Sequence, residues 1–459
     1  MTGASGAPGV IAVADGAVPP DEAVAHALAT IDRLDGRLGA WQSVHADEAR
    51  RAGAAATEAR SSGHRVGPFH GVPFALKDIV DVEGRLTGAG SAALAARRSP
   101  TTAVIARRLL AGGGILVGKT KTVELALGGW GTNERLGTPW NPWDADRHRA
   151  PGGSSSGSAV AVASGMVPCA IGTDTGGSVR LPASFCGIVG LKTTEGLLPT
   201  DGIVPLSHTL DTPGPLARTV HDAALMFDVL TGRSPVEIDD DRRRTAGLYR
   251  ALELGVSGLR LGVLADGERH QLAPAVAHDY DLALDRLNGL GADLVPFAPP
   301  LDFVEMMARA FVIVTAEAWY HHGHLFGDPA APMGEAVRAR ALPGQDHSAT
   351  RYIDAQLRRI DDRAAFDRAL GPLDGWLTPT TPTTAPPVDT VDEASTPAHF
   401  TRAANYLGLC AVSVPSGLDG DGLPTGLQIM GRGGAEALVL RVAATHERAR
   451  GPLARPPLS

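Results

Sequence analysis

Gly172-Thr173-Asp174-Thr175-Gly176-Gly177-Ser178 follows without a break on the apolar run Cys169-Ala170-Ile171. A short apolar run that ends in a glycine turn reads as a buried strand delivering one residue, Ser178, at its end. A serine so placed is open to substrate, and the amides of the preceding turn can converge on an oxyanion. Just upstream lies a second glycine–serine stretch, Pro151-Gly152-Gly153-Ser154-Ser155-Ser156-Gly157-Ser158. A flexible linker would not run straight into AVAVASG, which is helix material; a glycine turn feeding a helix start is an anion-stabilising arrangement. The third stretch is Gly71-Val72-Pro73-Phe74-Ala75-Leu76-Lys77-Asp78, in which Lys77 closes an apolar strand. Taken alone, such a lysine reads as snorkelling or ion-paired, here to Asp78.

The basic residues are unevenly chosen. Lysine occurs only at positions 77, 119, 121 and 192, and the other 38 of 42 basic residues are arginine. Arginine cannot give up its proton in a protein, so a cation-derived base has four candidates.

Outward from these stretches, residues 68–232 alternate short apolar segments with helical ones, the rhythm of an α/β fold. Val104–Ala111 reads as a helix ended by Gly112-Gly113-Gly114, with a strand at 115–117; residues 158–164 and 169–171 repeat the unit. Residues 21–61 read as one or two amphipathic helices, with Asp21 as N-cap. Residues 236–375 read as variable and mostly helical, with strands at 259–264 and 293–296. Residues 377–388 read as a proline-rich loop. Residues 376–450 return to complete the core, with strands at 410–414 and 426–430 and a helix at 436–448. The expectation is one domain over 1–459, a mixed and mostly parallel sheet covered by helices on both faces.

Composition narrows the function. Net charge is −8 and no basic stripe is interleaved with aromatics, which argues against a nucleic-acid surface. No apolar run approaches the ~20 residues needed to span a membrane, and Met1 to Ala17 lacks the lysine, arginine and aliphatic core of a signal peptide. Cys169, Cys186 and Cys410 are too few and scattered for a disulfide framework or a zinc site, and a cytoplasmic setting follows. His321, His322 and His324 read as a solvated cluster, and no metal or organic cofactor is implied.

At this point the sequence closely resembles the amidase signature family. That family's pattern is a GGSS-rich loop, then G-T-D-x-G-G-S-[IV]-R-x-P-A, with an upstream G-V-P-x-x-[LV]-K-[DE]. This chain carries GGSSSGS, GTDTGGSVRLPASFCGIVGLK and GVPFALKD. Flanking blocks fit as well: GILVGKTKTVELA, GTPWNPWD, TLDTPGPLARTVHDAA and GLPTGLQIMG. The resemblance implies that Ser178 is the nucleophile, Ser154 a bridging serine on a cis peptide, and Lys77 the base. It implies an oxyanion hole from the amides of Thr175, Gly176, Gly177 and Ser178, with Ser155, Ser156, Asp174 and Arg180 supporting the loops. The chemistry is coherent. A serine needs a base, a buried lysine can be one, and a hydroxyl between them both donates and accepts.

Three other readings compete. Gly113-Gly114-Ile115-Leu116-Val117-Gly118-Lys119-Thr120 matches the nucleotide-binding pattern G-x-x-x-x-G-K-[ST] literally. However, that loop needs its strand before the glycines, and here the strand falls inside the pattern. A Ser–His–Asp triad could draw on His208 or His221, though neither has a compelling partner. The amidase component of a tRNA-dependent amidotransferase is the third, disfavoured where Lys192-Thr193-Thr194-Glu195-Gly196 replaces a K-P-T-Y-G-R-like stretch. The substrate expectation is a small aryl or alkyl amide, with carbamates and esters open to the same chemistry. The enzyme is expected to act as a monomer or homodimer. Gly128, Gly129 and Trp130 are the candidate substrate wall, with Trp130 as its aromatic face. No basic residue stands out as a partner for a substrate carboxylate.

Overall fold

A computed structural model describes residues 7–64 and 66–458. The first six residues of the Met1–Ala17 stretch lie outside them. Eleven strands form one sheet: β1 Trp41–Val44, β2 Pro73–Lys77, β3 Ile115–Thr120, β4 Cys169–Asp174, β5 Val189–Lys192, β6 Thr212–Ala217, β7 Arg260–Leu264, β8 Asp293–Phe297, β9 Gly375–Pro379, β10 Cys410–Leu418 and β11 Pro424–Gly431. Their order is β1-β3-β2-β4-β6-β5-β10-β11-β9-β7-β8. Strands β2, β4, β5, β6, β9 and β11 are buried along their whole length. Such strands need cover on both faces, and helices supply it. The two edge strands, β1 and β8, are the ones that face water.

The two faces carry separate cores, and β2 shows how the pleat divides them. Phe74 and Leu76 join the larger cluster, whereas Ala75 packs into the smaller one with Ala159, Val160 and Val162. The helix Ser156–Ala163, which supplies those residues, has only small side chains and can lie almost against the sheet. A Cβ on its Gly157 would sit 2.2 Å from the carbonyl oxygen of Ala40, so only glycine fits there.

Several expectations need correction. The sheet is mixed, but only β2–β3, β2–β4, β7–β8 and β7–β9 pair in parallel. The other six pairings are antiparallel. Strand direction depends on which distant partner a strand finds, and alternation of strands and helices does not encode that. Residues 21–61 are two helices, Pro20–Leu38 and Ala46–Ser61, separated by β1. Pro20 occupies the first helical turn, so Asp21 lies inside the helix, its carboxylate accepting from Thr57 at 2.7 Å. Residues 377–379 belong to β9 and not to the proline-rich loop. The strands at 115–117 and 169–171 each run three residues further, which carries both to the site.

Candidate active site

Lys77 is the last residue of β2 and is fully buried. Its Nζ lies 2.7 Å from Ser154 Oγ and 2.9 Å from Thr173 Oγ1. Asp78, its neighbour in sequence, does not pair with it, and the pleat gives the reason. Successive residues point to opposite faces, and a bulge in β3 sets Lys119 opposite Leu76, on the Asp78 side. Asp78 therefore pairs with Lys119, 2.9 Å away, and Lys119 also donates to Thr87 Oγ1 at 2.8 Å. That pairing overturns the nucleotide-loop reading as well, since Lys119 and its ILVG neighbours are strand. Left with two hydroxyls and no carboxylate in contact, Lys77 loses proton affinity to burial. Its pKa falls from 10.5 to about 7, although the charges of Asp211 and Asp174 pull it upward.

Ser154 is fully buried and follows a cis peptide bond from Gly153. Its carbonyl accepts from the Thr122 hydroxyl at 2.9 Å and the Val123 amide at 3.1 Å. The Ser155 amide donates to the carbonyl of Ser178 at 3.2 Å, tying the two serine loops together. Ser155 Oγ meets the Thr173 backbone at 3.3 Å, supporting β4. Ser156 Oγ is buried without a partner, so its support comes from opening the helix and not from its hydroxyl.

The turn from Thr175 to Ser178 is built around Asp174. The Asp174 carboxylate accepts from the Gly177 amide at 2.7 Å, the Val179 amide at 3.1 Å, Arg180 Nε at 3.0 Å and Nη2 at 2.9 Å, and Asn405 Nδ2 at 2.9 Å. Burial works against its charge, but Arg180, Lys192 and Asn405 outweigh that and hold it well below the usual carboxylate range. Arg180 in turn donates to Gln428 Oε1, Asn405 Oδ1 and the Thr401 carbonyl. The Gly177 amide is thus already committed, so it drops out of the expected oxyanion group. The amides of Thr175, Gly176 and Ser178 donate to no acceptor in the described residues. Gly177 itself sits at φ +130°, where a Cβ would fall 2.2 Å from Thr401 Oγ1.

Ser178, Thr175 and Gly176 open onto a cavity of about 990 Å³. Its walls are mainly apolar, including Leu127, Leu181, Met307, Phe311 and Val312, and Gly128 and Gly129 line it as expected. Trp130 does not. Its ring stacks on Phe185 at 6.3 Å and its Nε1 donates to the Ser395 carbonyl at 3.1 Å, so it braces a wall segment from behind. The histidine rivals lie elsewhere: His208 bonds His321 at 3.1 Å and His221 bonds Glu253 at 3.1 Å. No group of three or more His, Cys, Asp or Glu among the described residues could hold a metal.

Sequence reasoning missed several participants. Thr173 shares Lys77. Asp211 accepts from the Thr175 hydroxyl and from the amides of Leu206 and Ser207. The basic residues Arg340, Arg351 and Arg402 reach the cavity, two from the region expected to be variable and one from beyond it. Two of them carried a signal: Thr173 lies in the GTDTGGS stretch and Asp211 in the TLDTPGPLAR block.

The Amidase family profile matches residues 22–440. The chain is 37% identical to a glutamyl-tRNA(Gln) amidotransferase subunit from Anaeromyxobacter sp. (strain K), an alignment covering 97% of this chain and 96% of that protein. It is also 37% identical to 2-amino-5-chloromuconic acid deaminase of Comamonas testosteroni, over 90% and 88% of the two chains. Native peptide amidase from Stenotrophomonas maltophilia superposes with a TM-score of 0.81 at 29% identity, covering 97% of each chain. The chain therefore belongs to the amidase signature family. It is an amidase, acting on carbon–nitrogen bonds other than peptide bonds. No helix among the described residues is long and apolar enough to cross a membrane.

Proposed function

We propose that the protein is a free-standing amidohydrolase that cleaves small aryl or alkyl amides through Ser178, Ser154 and Lys77. The observation that carries this reading is the 2.7 Å contact between Ser154 Oγ and a lysine with a pKa of about 7. Neutral Lys77 takes the Ser154 proton as Ser154 takes that of Ser178, and Ser178 Oγ attacks the carbonyl carbon. The amides of Thr175, Gly176 and Ser178 receive the oxyanion. The relay then reverses to protonate the leaving amine, leaving an acyl-enzyme that water hydrolyses. Carbamates and esters suit the same sequence of steps. Three buried free thiols fit a reducing, cytoplasmic setting, with the enzyme working as monomer or homodimer.

A second reading is favoured by the 37% identity to an amidotransferase component, which works as part of a complex. Hydrolysis by the purified chain alone separates the two. Matched 4-nitroaniline amide and carbamate substrates are assayed without ATP or partner, beside Ser178→Ala. Turnover abolished by the substitution supports the free-standing enzyme; no turnover on either substrate moves the weight to the amidotransferase component. Turnover that survives in Ser178→Ala refutes Ser178 as nucleophile.

A further inference from the structure

Among the cationic side chains that line the cavity, Arg402 stands apart. Arg340 is engaged: its guanidinium donates to the Leu127 carbonyl and to Glu393, whose carboxylate lies 2.8 Å away. Arg351 is at the exposed end of the cavity. Arg402 sits at the inner end, against the turn that carries Ser178, with its Cζ 3.1 Å from where a Cβ of Gly176 would stand. Its Nε is buried and has no hydrogen-bond partner, and no carboxylate among the described residues forms an ion pair with it. The nearest compensating charge, Asp174, is consumed by Arg180.

Arg402 is half-buried and lines the cavity, and a guanidinium whose Nε is buried without an acceptor carries a cost that a group bound in the cavity can offset. Burial has already pushed the Arg402 pKa down to about 10, against the pull of Asp174. The fork of donors matches a carboxylate in geometry as well as in charge. The remaining wall is apolar and asks for hydrocarbon. We propose that Arg402 is a specificity-determining residue that binds a carboxylate on the acyl side of the substrate, so that the preferred substrates are mono-amides of dicarboxylic acids. The proposal rests on the amidohydrolase reading above and narrows its substrate. A carboxylate held at the Gly176 turn lies close to the reacting carbonyl, so a short hydrocarbon spacer joins the two.

Ammonia release is measured for succinamic, glutaramic and adipamic acids against their neutral counterparts butanamide, pentanamide and hexanamide, with wild type, Arg402→Leu and Arg402→Lys. The expected result is a wild-type preference for at least one acid of roughly thirty-fold or more in kcat/KM. That preference collapses in Arg402→Leu through the KM of the acid and is partly restored in Arg402→Lys. The wild-type ratio needs no variant, so it stands whether or not Arg402→Leu folds. A wild type that prefers the neutral amides, or a variant that loses both classes equally, overturns the proposal while leaving the amidohydrolase intact. Calorimetric titration of Ser178→Ala with succinate, glutarate and adipate covers the converse. Binding that is lost when Arg402→Leu is added, with no turnover of any amide by wild type, keeps the carboxylate site and refutes the hydrolase reading; no binding of any diacid refutes the site.

Discussion

Titrating the enzyme from pH 6 to pH 9 changes the charge on Lys77 in the range where the proposed relay needs it to change. The base works only as the neutral amine. With a pKa of about 7, the amine is about 9% neutral at pH 6 and about 91% neutral at pH 8. The value of kcat/KM for an uncharged 4-nitroanilide should therefore rise about tenfold between those pH values and level off above. An ordinary lysine at 10.5 would be neutral in only about one molecule in 3,000 at pH 7 and would give a limb still climbing at pH 9. Two variants identify the titrating group. Asp211 raises the Lys77 pKa through its charge, so Asp211→Asn should move the limb to lower pH. His347 also lines the cavity, its pKa lowered by burial; His347→Gln should leave the limb in place. A flat profile from pH 6 to 9, or a limb that moves with His347 and not with Asp211, would refute the assignment of Lys77 as base.

The remaining predictions concern stability and binding. The folded-state pKa of Lys77 lies below its unfolded value, so its unfavourable contribution is complete below about pH 7 and fades as pH rises toward 10.5. Lys77→Met should accordingly be inactive yet more resistant to urea at pH 6, by on the order of 3 kcal/mol after two lost hydrogen bonds, with the gap narrowing toward pH 10. Lys119→Met should do the opposite, costing about 3–5 kcal/mol at neutral pH because Asp78 is left buried and unpaired; equal behaviour of the two variants would contradict the pairing. Asp174→Ala strands the buried Arg180 guanidinium and frees the Gly177 and Val179 amides, so a loss of about 3–5 kcal/mol in urea unfolding is expected together with loss of activity. Trp130→Phe removes one hydrogen bond to Ser395 and should cost about 1 kcal/mol, with kcat within about threefold of wild type; a collapse of kcat would return Trp130 to the substrate wall.

What the sequence made legible was chemistry held in short local stretches. Ser178, Ser154 and Lys77 each sit in a stretch whose glycines, small residues or strand pattern declare the local backbone, and family resemblance joined the three. What stayed hidden was partnership over distance. Asn405 is 231 positions from the Asp174 that it bonds, and Arg402 lies in FTRAANYLG, where nothing marks it apart from the other arginines. The four-residue strand β1 escaped because one buried tryptophan followed by three exposed residues has no readable period. The assignment of the Gly177 amide failed for a related reason. A run of amides in a turn reads as a set of equal donors, and only the position of Asp174 reveals that one is already taken.

The four lysines show why a perturbed pKa nominates a base but does not choose one. Burial lowers Lys77 to about 7 and Lys192 to about 8, and it lowers Lys119 as well, so proton affinity alone leaves three candidates. Lys121 donates to the Leu136 carbonyl and Lys119 is bound to Asp78. The difference between the first two is in what they touch. Lys192 Nζ lies 2.9 Å from the Thr193 carbonyl and 2.7 Å from that of Leu409, two acceptors that have no proton to give. Whatever its charge, it stands at the end of a chain that leads nowhere. Lys77 touches two hydroxyls, and a hydroxyl can accept from an ammonium or donate to an amine. Of the three buried lysines with depressed pKa values, Lys119 is held in its ion pair with Asp78 and Lys192 touches only carbonyls. Lys77 is therefore the one that can pass a proton on, and the direction in which it passes is toward the loop that Ser155 ties to Ser178.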